Sequence, residues 1–287
     1  MKRYLPSIIL ILTVSCSTMY AQKKGITIPD MIQVEGGTFM MGSNSGNENE
    51  TPAHKVMVSS FSIGKYEVTF GEYKIFVDST GYKTDAEQHD TVRIKQGLPP
   101  REKNHGTWNR YATGIPVTPT DTLYPVANIS WNDAMAYCSW LSKKTGKKFR
   151  LPTEAEWEFV AKGGIKSKGF NYAGGNNLDE VAWHIGNSRI KLHMIGKKTP
   201  NELGIYDMSG NIEEWCADWY SDSYFKTSPE KNPAGPGHGT YRVLRGGSWR
   251  SGESRMTITF RNHELPFNNA LVLGFRLALS GEYPDKK

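Results

Sequence analysis

Three helix starts fix most of what this chain can become. Thr69 with Glu72, Ser130 with Asp133 and Thr153 with Glu156 each form a capping box. The N-cap hydroxyl takes the N–H three residues on, and the carboxylate at that position reaches back to the N-cap N–H. Apolar residues follow at helical spacing. They are Phe70, Tyr73, Phe76 and Val77 after Thr69, and Ala134, Tyr137, Cys138 and Leu141 after Ser130. Gly146 stops the second helix, and Gly163-Gly164 the third. The remaining chain carries many of its 29 glycines and breaks into short segments, which excludes a helical bundle.

The strand signals are short. Met31 to Gly42 reads as two strands around a Gly36-Gly37 turn, and Val56 to Ile63 as another. Leu273, Phe275, Leu277 and Leu279 alternate with Gly274, Arg276 and Ala278, the period of a half-buried strand. Pro99, Pro100, Pro116 and Pro119 mark residues 81–125 as long surface loops. Trp108 and His105 sit there, and a lone loop histidine is more simply solvated than part of a site. The expectation is one loop-rich α+β domain over residues 26–281, with short antiparallel strands and about three main helices.

At 38% hydrophobic and 22% charged, the 287 residues have ordinary globular composition. The net charge of +6 is spread without a basic tract interleaved with aromatics, so nucleic acid is not an expected partner. Residues 1–21 read as an export signal. Lys2 and Arg3 precede an apolar run from Leu5 to Val14 that is too short to span a bilayer. Two exits are open: Ala21 before Gln22 reads as a signal-peptidase site, and alternatively Thr13-Val-Ser-Cys16 resembles a lipobox that would place a lipid anchor on Cys16. By either route the protein is exported, and is periplasmic, outer-membrane-associated or secreted.

Two further stretches carry chemistry. In Arg242-Val-Leu-Arg-Gly-Gly-Ser-Trp249, a short apolar run enters a glycine pair that permits a bend or a close approach, and Trp249 supplies a rigid anchor. In Asn201 to Trp215, oxygens converge on a turn: the Asp207 carboxylate, the carbonyls of Gly210 and Ile212, and the Glu214 carboxylate. Such hard ligands suit calcium; the alternative is that Glu214 pairs with a basic neighbour. The glutamates of Arg150-Leu-Pro-Thr-Glu-Ala-Glu-Trp-Glu158 read as caps and helix-start charges rather than as an acid–base pair. The chain shows no histidine pair at metal-ligand spacing, and no nucleophile elbow, P-loop or dinucleotide fingerprint.

The order GGTFMMGS, H-x-V, KYEVT, RLPTEAEWE, GIYDMSGNIEEW, RVLRGGSW and LGFRLAL resembles the formylglycine-generating-enzyme family, also called sulfatase-modifying factors, over residues 31–279. Phe70 and Glu213 depart from the usual Asn and Trp. The resemblance implies a fold related to C-type lectins. It also implies a calcium ion at the positions of Asp207, Gly210, Ile212 and Glu214, while a second family calcium site near Asn187 falls in a shorter loop and is not carried over. Active members bind copper with two cysteines, and those positions are Ser251 and Met256 here. Cu(I) is held by soft thiolates. A serine hydroxyl stays protonated at neutral pH, and a thioether brings no charge. No catalytic residue and no copper are therefore expected. In some members the counterpart of Cys138 pairs with a cysteine at the position of Leu277, so that bridge is missing. A Cys138–Cys216 bridge and two buried thiols both remain open.

These readings point to a non-catalytic binding or scaffold protein of the bacterial envelope, as the resemblance to gliding and secretion relatives implies. It would present a C-terminal groove, built from loops between Lys197 and Asn269, to a protein, peptide or glycan. The alternatives are a formylglycine-generating oxidase acting on a sulfatase cysteine, and another enzyme type on the same fold. Relatives of the latter kind bring an added helical domain with an iron-binding histidine set, for which this chain lacks room.

Overall fold

Each capping box starts a helix. α1 spans Phe70–Thr80, α2 Trp131–Thr145 and α3 Glu154–Ala161, with Thr69, Ser130 and Thr153 as reciprocal N-caps. α1 and α2 end on Gly81 and Gly146, both left-handed, at φ 66° and 74°. A short α4 follows at Leu178–Val181. The structure, a computed structural model, describes residues 28–88, 106–110, 116–118 and 120–280. The export segment 1–21, Cys16 and His105 lie outside the described residues.

Ten short strands surround the helices: β1 Met31–Val34, β2 Gly37–Met41, β3 His54–Val58, β4 Phe61–Gly64, β5 Phe149–Arg150, β6 Glu213–Trp219, β7 Arg242–Arg245, β8 Asn262–Glu264, β9 Leu273–Gly274 and β10 Ala278–Leu279. They form three sheets in the orders β1-β4-β10-β5, β2-β3 and β8-β7-β6-β9. All pairings between them are antiparallel except β6 with β9. The last strand lies between β4 and β5, so the two ends of the domain close on one sheet. This is the expected α+β, loop-rich fold.

Two apolar clusters fill it. One packs α1 and α2 face to face, with Tyr73 stacked on Tyr137 at 5.8 Å and Phe76 edge-on to Tyr137 at 5.7 Å, above Trp215 and Phe275. The other sets Trp157, Phe159 and Val160 of α3 against β2, β3 and β4. The periodic positions on α2 are the buried ones.

Three local expectations give way to the tertiary structure. β1 and β2 flank Gly36-Gly37 as expected but do not pair with each other; β1 joins β4 and β2 joins β3. The Val56–Ile63 stretch is two strands in different sheets, broken at Ser59-Ser60. The stretch from Leu273 to Leu279 is not one half-buried strand but β9 and β10, and Arg276 between them is 0% exposed. Period two puts Arg276 on a polar face, but the sequence does not show that a carboxylate waits inside.

That carboxylate is Glu214. Arg276 Nε and Nη2 each donate to it at 2.6 Å, Nη1 donates to the Gly64 carbonyl at 3.0 Å, and Nη2 also to the Tyr206 carbonyl at 2.9 Å. Two more buried arginines behave alike. Arg261 forks onto Glu154 at 2.7 and 2.8 Å, and Arg245 binds Glu158. Burial alone would raise Glu158, yet Lys162 and Arg245 hold it below its ordinary value. The glutamates of the Arg150–Glu158 stretch are thus spent on buried ion pairs and on the cap, not on acid–base chemistry.

Removing one member of a buried pair leaves an uncompensated charge, at a cost of about 3–5 kcal/mol. Arg276→Met should lose about that much in urea unfolding. Arg150→Ala, which breaks the partly exposed 2.6 Å pair with Glu156, should lose about 1 kcal/mol or less. Equal losses would contradict the central place given to Arg276.

Asp218 is buried on β6 and accepts the Glu154 N–H at 2.8 Å. Burial, then the adjacent Glu154 carboxylate, pushes it up to about 8. An unfolded aspartate ionises near about 3.9. Between those values the native state holds a proton that the unfolded chain has released, so stability falls as pH rises across the window. Asp218→Asn keeps an acceptor and cannot ionise. The decline of its urea midpoint from about pH 5 to about pH 8 should be shallower than in the wild type. An unchanged slope would remove Asp218 as the cause.

Candidate functional site

The β7 strand runs into Gly246 and Gly247, at φ 94° and 66°. A Cβ on Gly247 would lie 2.6 Å from the Arg255 carbonyl oxygen, and one on Gly246 3.2 Å from the Trp157 ring. Only glycine lets the chain turn here at both points. The bend docks on the 207–214 turn: Gly210 N–H donates to the Gly246 carbonyl at 2.8 Å, and Trp249 N–H to the Asn211 carbonyl at 2.9 Å. The two stretches that stood out in the sequence are therefore one construction.

Past the bend, Ser251 Oγ accepts the Ser248 N–H at 3.0 Å and lies 3.1 Å from Ser248 Oγ. Met256 is 0% exposed and packs with Tyr172, Leu178, Val181 and Ala182. Its thioether fills an apolar nest. Ser251 is held in a turn by a neighbouring serine, with no general base among its hydrogen-bond partners.

The 207–214 turn is built from left-handed residues: Asp207 at φ 58°, Gly210 at 85° and Asn211 at 59°. Asp207 Oδ2 accepts the Gly196 N–H at 2.7 Å, while its Oδ1 is buried without a partner. Glu67 lies in the same polar interior. Its Oε1 accepts from Asn211 Nδ2 at 3.2 Å, and its Oε2 is also buried without a partner. Burial, then the Asp207 and Glu214 charges, raises Glu67 well above the usual carboxylate range, and burial brings Asp207 to about 6. Glu214 differs. Both of its oxygens accept from Arg276, and Oε2 also accepts Trp157 Nε1–H at 2.8 Å.

Open buried carboxylate oxygens fit a hard cation, and here they belong to Asp207 and Glu67. Glu214 would reach an ion only by sharing oxygens already held by Arg276. No group of three His, Cys, Asp or Glu converges as a metal-holding set among the described residues. An ion here would therefore depend on carbonyls such as those of Gly210 and Ile212. Glu67 was missed in the sequence. Its one signal was a charge between Tyr66 and Val68, on an otherwise apolar approach to α1.

A cavity of about 280 Å³ opens beside the bend. Phe70, Trp108, Val117, Leu192, Trp249 and Leu271 wall it, with Arg110, Ile190 and Lys191 also in its lining. It is not the groove expected between Lys197 and Asn269, since Trp249 is its one lining residue from that range. The other walls come from α1, from residues 108, 110, 117, 124, 125 and 127, from residues 190–192 and from Leu271. Ser188 Oγ donates to the Trp249 carbonyl at 2.8 Å and fixes one of those loops. The next two residues, Arg189 and Ile190, are left-handed at φ 54° and 56°. For a β-branched residue this is a backbone outlier costing about 1–3 kcal/mol, and it leaves Ile190 69% exposed at the mouth.

The cysteines are settled among the described residues. Cys138 and Cys216 are free, buried and in different apolar clusters. Burial pushes Cys138 up to about 12 and Cys216 well above its ordinary value, so neither is a nucleophile at neutral pH. Asn187 is engaged locally, its amide donating to Asp179 at 3.1 Å and to the Ala182 carbonyl at 3.0 Å.

Known proteins resemble the chain along nearly its whole length. The formylglycine-generating enzyme of Streptomyces coelicolor is 33% identical over 284 residues, covering 86% of this chain and 88% of that protein. Chaperone protein LppX of Paenibacillus barcinonensis is 32% identical over 262 residues, covering 80% and 82%. Serine/threonine-protein kinase pkn1 of Chlamydia pneumoniae is 31% identical over 258 residues, which are 88% of this chain but 38% of the kinase, so this chain spans well under half of that relative. Among solved structures, PvdO from Pseudomonas aeruginosa superposes with a TM-score of 0.71 at 28% identity, covering 88% of this chain and 95% of that one. Residues 16–280 match the sulfatase-modifying factor enzyme 1-like domain. The chain belongs to the sulfatase-modifying factor, or formylglycine-generating-enzyme, family.

Proposed function

We propose that this member of the family is an exported, non-catalytic binding or scaffold protein of the bacterial envelope. The observation that carries the reading is the state of the two positions that hold copper-binding cysteines in active members. Met256 is sealed at 0% exposure among Tyr172, Leu178, Val181 and Ala182, and the Ser251 hydroxyl is engaged with Ser248. A hydroxyl and a buried thioether do not replace two thiolates on Cu(I). The apolar cavity beside Trp249 gives the protein something to bind with, and a relative named as a chaperone agrees with a role that rests on binding. Export rests on Lys2, Arg3 and the short apolar run that follows, with Cys16 as the candidate for a lipid anchor. No helix among the described residues is long and apolar enough to cross a membrane.

The identity to formylglycine-generating enzymes makes the oxidase the reading to test against. Purified protein, copper, oxygen and a cysteine-containing sulfatase peptide are incubated, and the peptide is weighed by mass spectrometry. No conversion of thiol to aldehyde is expected. Copper-dependent conversion over many turnovers would overturn the proposal.

The same reading includes a structural calcium ion in the 207–214 turn, held by Asp207 with the Gly210 and Ile212 carbonyls, and with Glu67 as the second open carboxylate. Calcium would supply the positive charge that those buried oxygens lack. A ligand that binds only the folded state stabilises it by about 2.7 kcal/mol at a hundredfold excess over its dissociation constant, a rise of several degrees in Tm. Calcium should therefore raise the Tm of the wild type over its value in EDTA, and do so much less in Asp207→Asn. Glu214→Ala is the poorer variant, since it also strands Arg276. A wild-type Tm indifferent to calcium would sink the idea.

A further inference from the structure

The mouth of the cavity over Trp249 is apolar within and cationic without. Arg189 and Lys191 stand exposed on either side of Ile190, and Arg250 is exposed with its guanidinium 5.5 Å from the Trp249 ring. None of the three has an ion-pair partner within 4.0 Å among the described residues, and no carboxylate lines the cavity. The nearby Asp121 carboxylate accepts from the Thr118 N–H and hydroxyl at 2.7 and 2.6 Å. The crowding of positive charge is felt by His193, which burial, then Lys191, Lys198 and Arg189, lowers below its ordinary value. Two large apolar side chains are exposed here: Ile190 of the lining, at 69%, and Leu123, next in the chain to the lining residue Tyr124, at 53%. The backbone at Arg189 and Ile190 is left-handed, at φ 54° and 56°.

Resting on the reading of this chain as a binding protein, we infer that the mouth docks an acidic segment of a partner protein, which seats one aromatic or aliphatic side chain in the cavity over Trp249 and sets its flanking carboxylates against Arg189, Lys191 and Arg250. A cavity of about 280 Å³ has room for a single large anchor side chain, and such anchors in desolvated pockets dominate interfaces. The three cations come from two segments of chain, residues 189–191 and residue 250, which matches several carboxylates better than the single headgroup of a small amphiphile. The exposed Ile190 and Leu123 also add apolar surface beyond what a small amphiphile would cover. Opposed charge would steer and orient the partner.

Phage-displayed random peptides of about twelve residues, selected on purified protein after depletion on the Ile190→Asp/Lys191→Glu double variant, test the inference. Both residues are exposed, and circular dichroism and melting check that the variant folds. The recovered peptides should carry an aromatic residue or Leu flanked by Asp or Glu. The best of them, synthesised and followed by fluorescence anisotropy, should lose about tenfold or more in affinity to Ile190→Asp, and separately to Arg250→Glu, and should weaken as salt rises. Recovery of no peptide, of peptides without acidic residues, or of peptides that bind the variants equally would overturn it. So would sodium decanoate filling the cavity, read by tryptophan fluorescence, while peptides do not compete. Peptides that bind elsewhere would remove this site but leave the binding reading standing, whereas formylglycine turnover would remove the reading itself.

Discussion

One buried ion pair ties the parts of this domain together. Arg276 lies between the last two strands, yet its guanidinium reaches Glu214 at the start of β6, the Gly64 carbonyl at the end of β4 and the Tyr206 carbonyl before the 207–214 turn. Trp157 of α3 completes the set by donating to Glu214. A guanidinium at 0% exposure is tolerable only because Nε, Nη1 and Nη2 all find acceptors. Two sheets and a helix therefore meet on a single charge. The pair also decides what the adjacent turn can do. With Glu214 taken by Arg276, the carboxyl oxygens still open there belong to Asp207 and Glu67.

The parts of the fold that were legible in the sequence are those with local causes. The capping boxes at Thr69, Ser130 and Thr153, the glycine stop at Gly146, and the buried stripe on α2 each depend on residues within a turn or two of one another. Strands were legible as extended segments but not as partners. Register is set by which chain lies alongside, so Gly36-Gly37 looked like a hairpin when β1 and β2 in fact join different strands. Arg276 is the sharpest case. Its alternation with Leu277 and Phe275 reads as a strand, yet it lies between β9 and β10, and the inference that it faces water fails because its partner is 62 residues away.

The candidate site divides along the same line. The expectation that Ser251 and Met256 do not form a copper pair could be drawn from the sequence because that argument needs only their chemistry. Their surroundings explain why the structure tolerates them: a thioether suits the nest made with Tyr172 and Leu178, and a serine suits the turn beside Ser248. The cavity was not legible, because its walls come from α1, from separate residues between Trp108 and Ala127, from residues 190–192, from Trp249 and from Leu271, which share no pattern along the chain. Glu67 was missed for a related reason. Its significance lies in having Asn211 and Asp207 as neighbours, not in its own stretch.

The stretches that identify the family are, in this structure, mostly interior supports. Glu154 and Glu158 of the Arg150–Glu158 stretch pair with Arg261 and Arg245. Glu214 pairs with Arg276, and Gly246 and Gly247 make a bend that larger residues would block. None of these needs a metal or a substrate to explain its presence. Each prevents a stranded charge or a clash, at a cost to folding if it is changed. A chain can therefore keep every one of them and still exchange the two residues at the family's copper positions, since neither Met256 nor Ser251 is a partner in those ion pairs. Strong family likeness does not by itself carry the family's chemistry, because different residues carry the two.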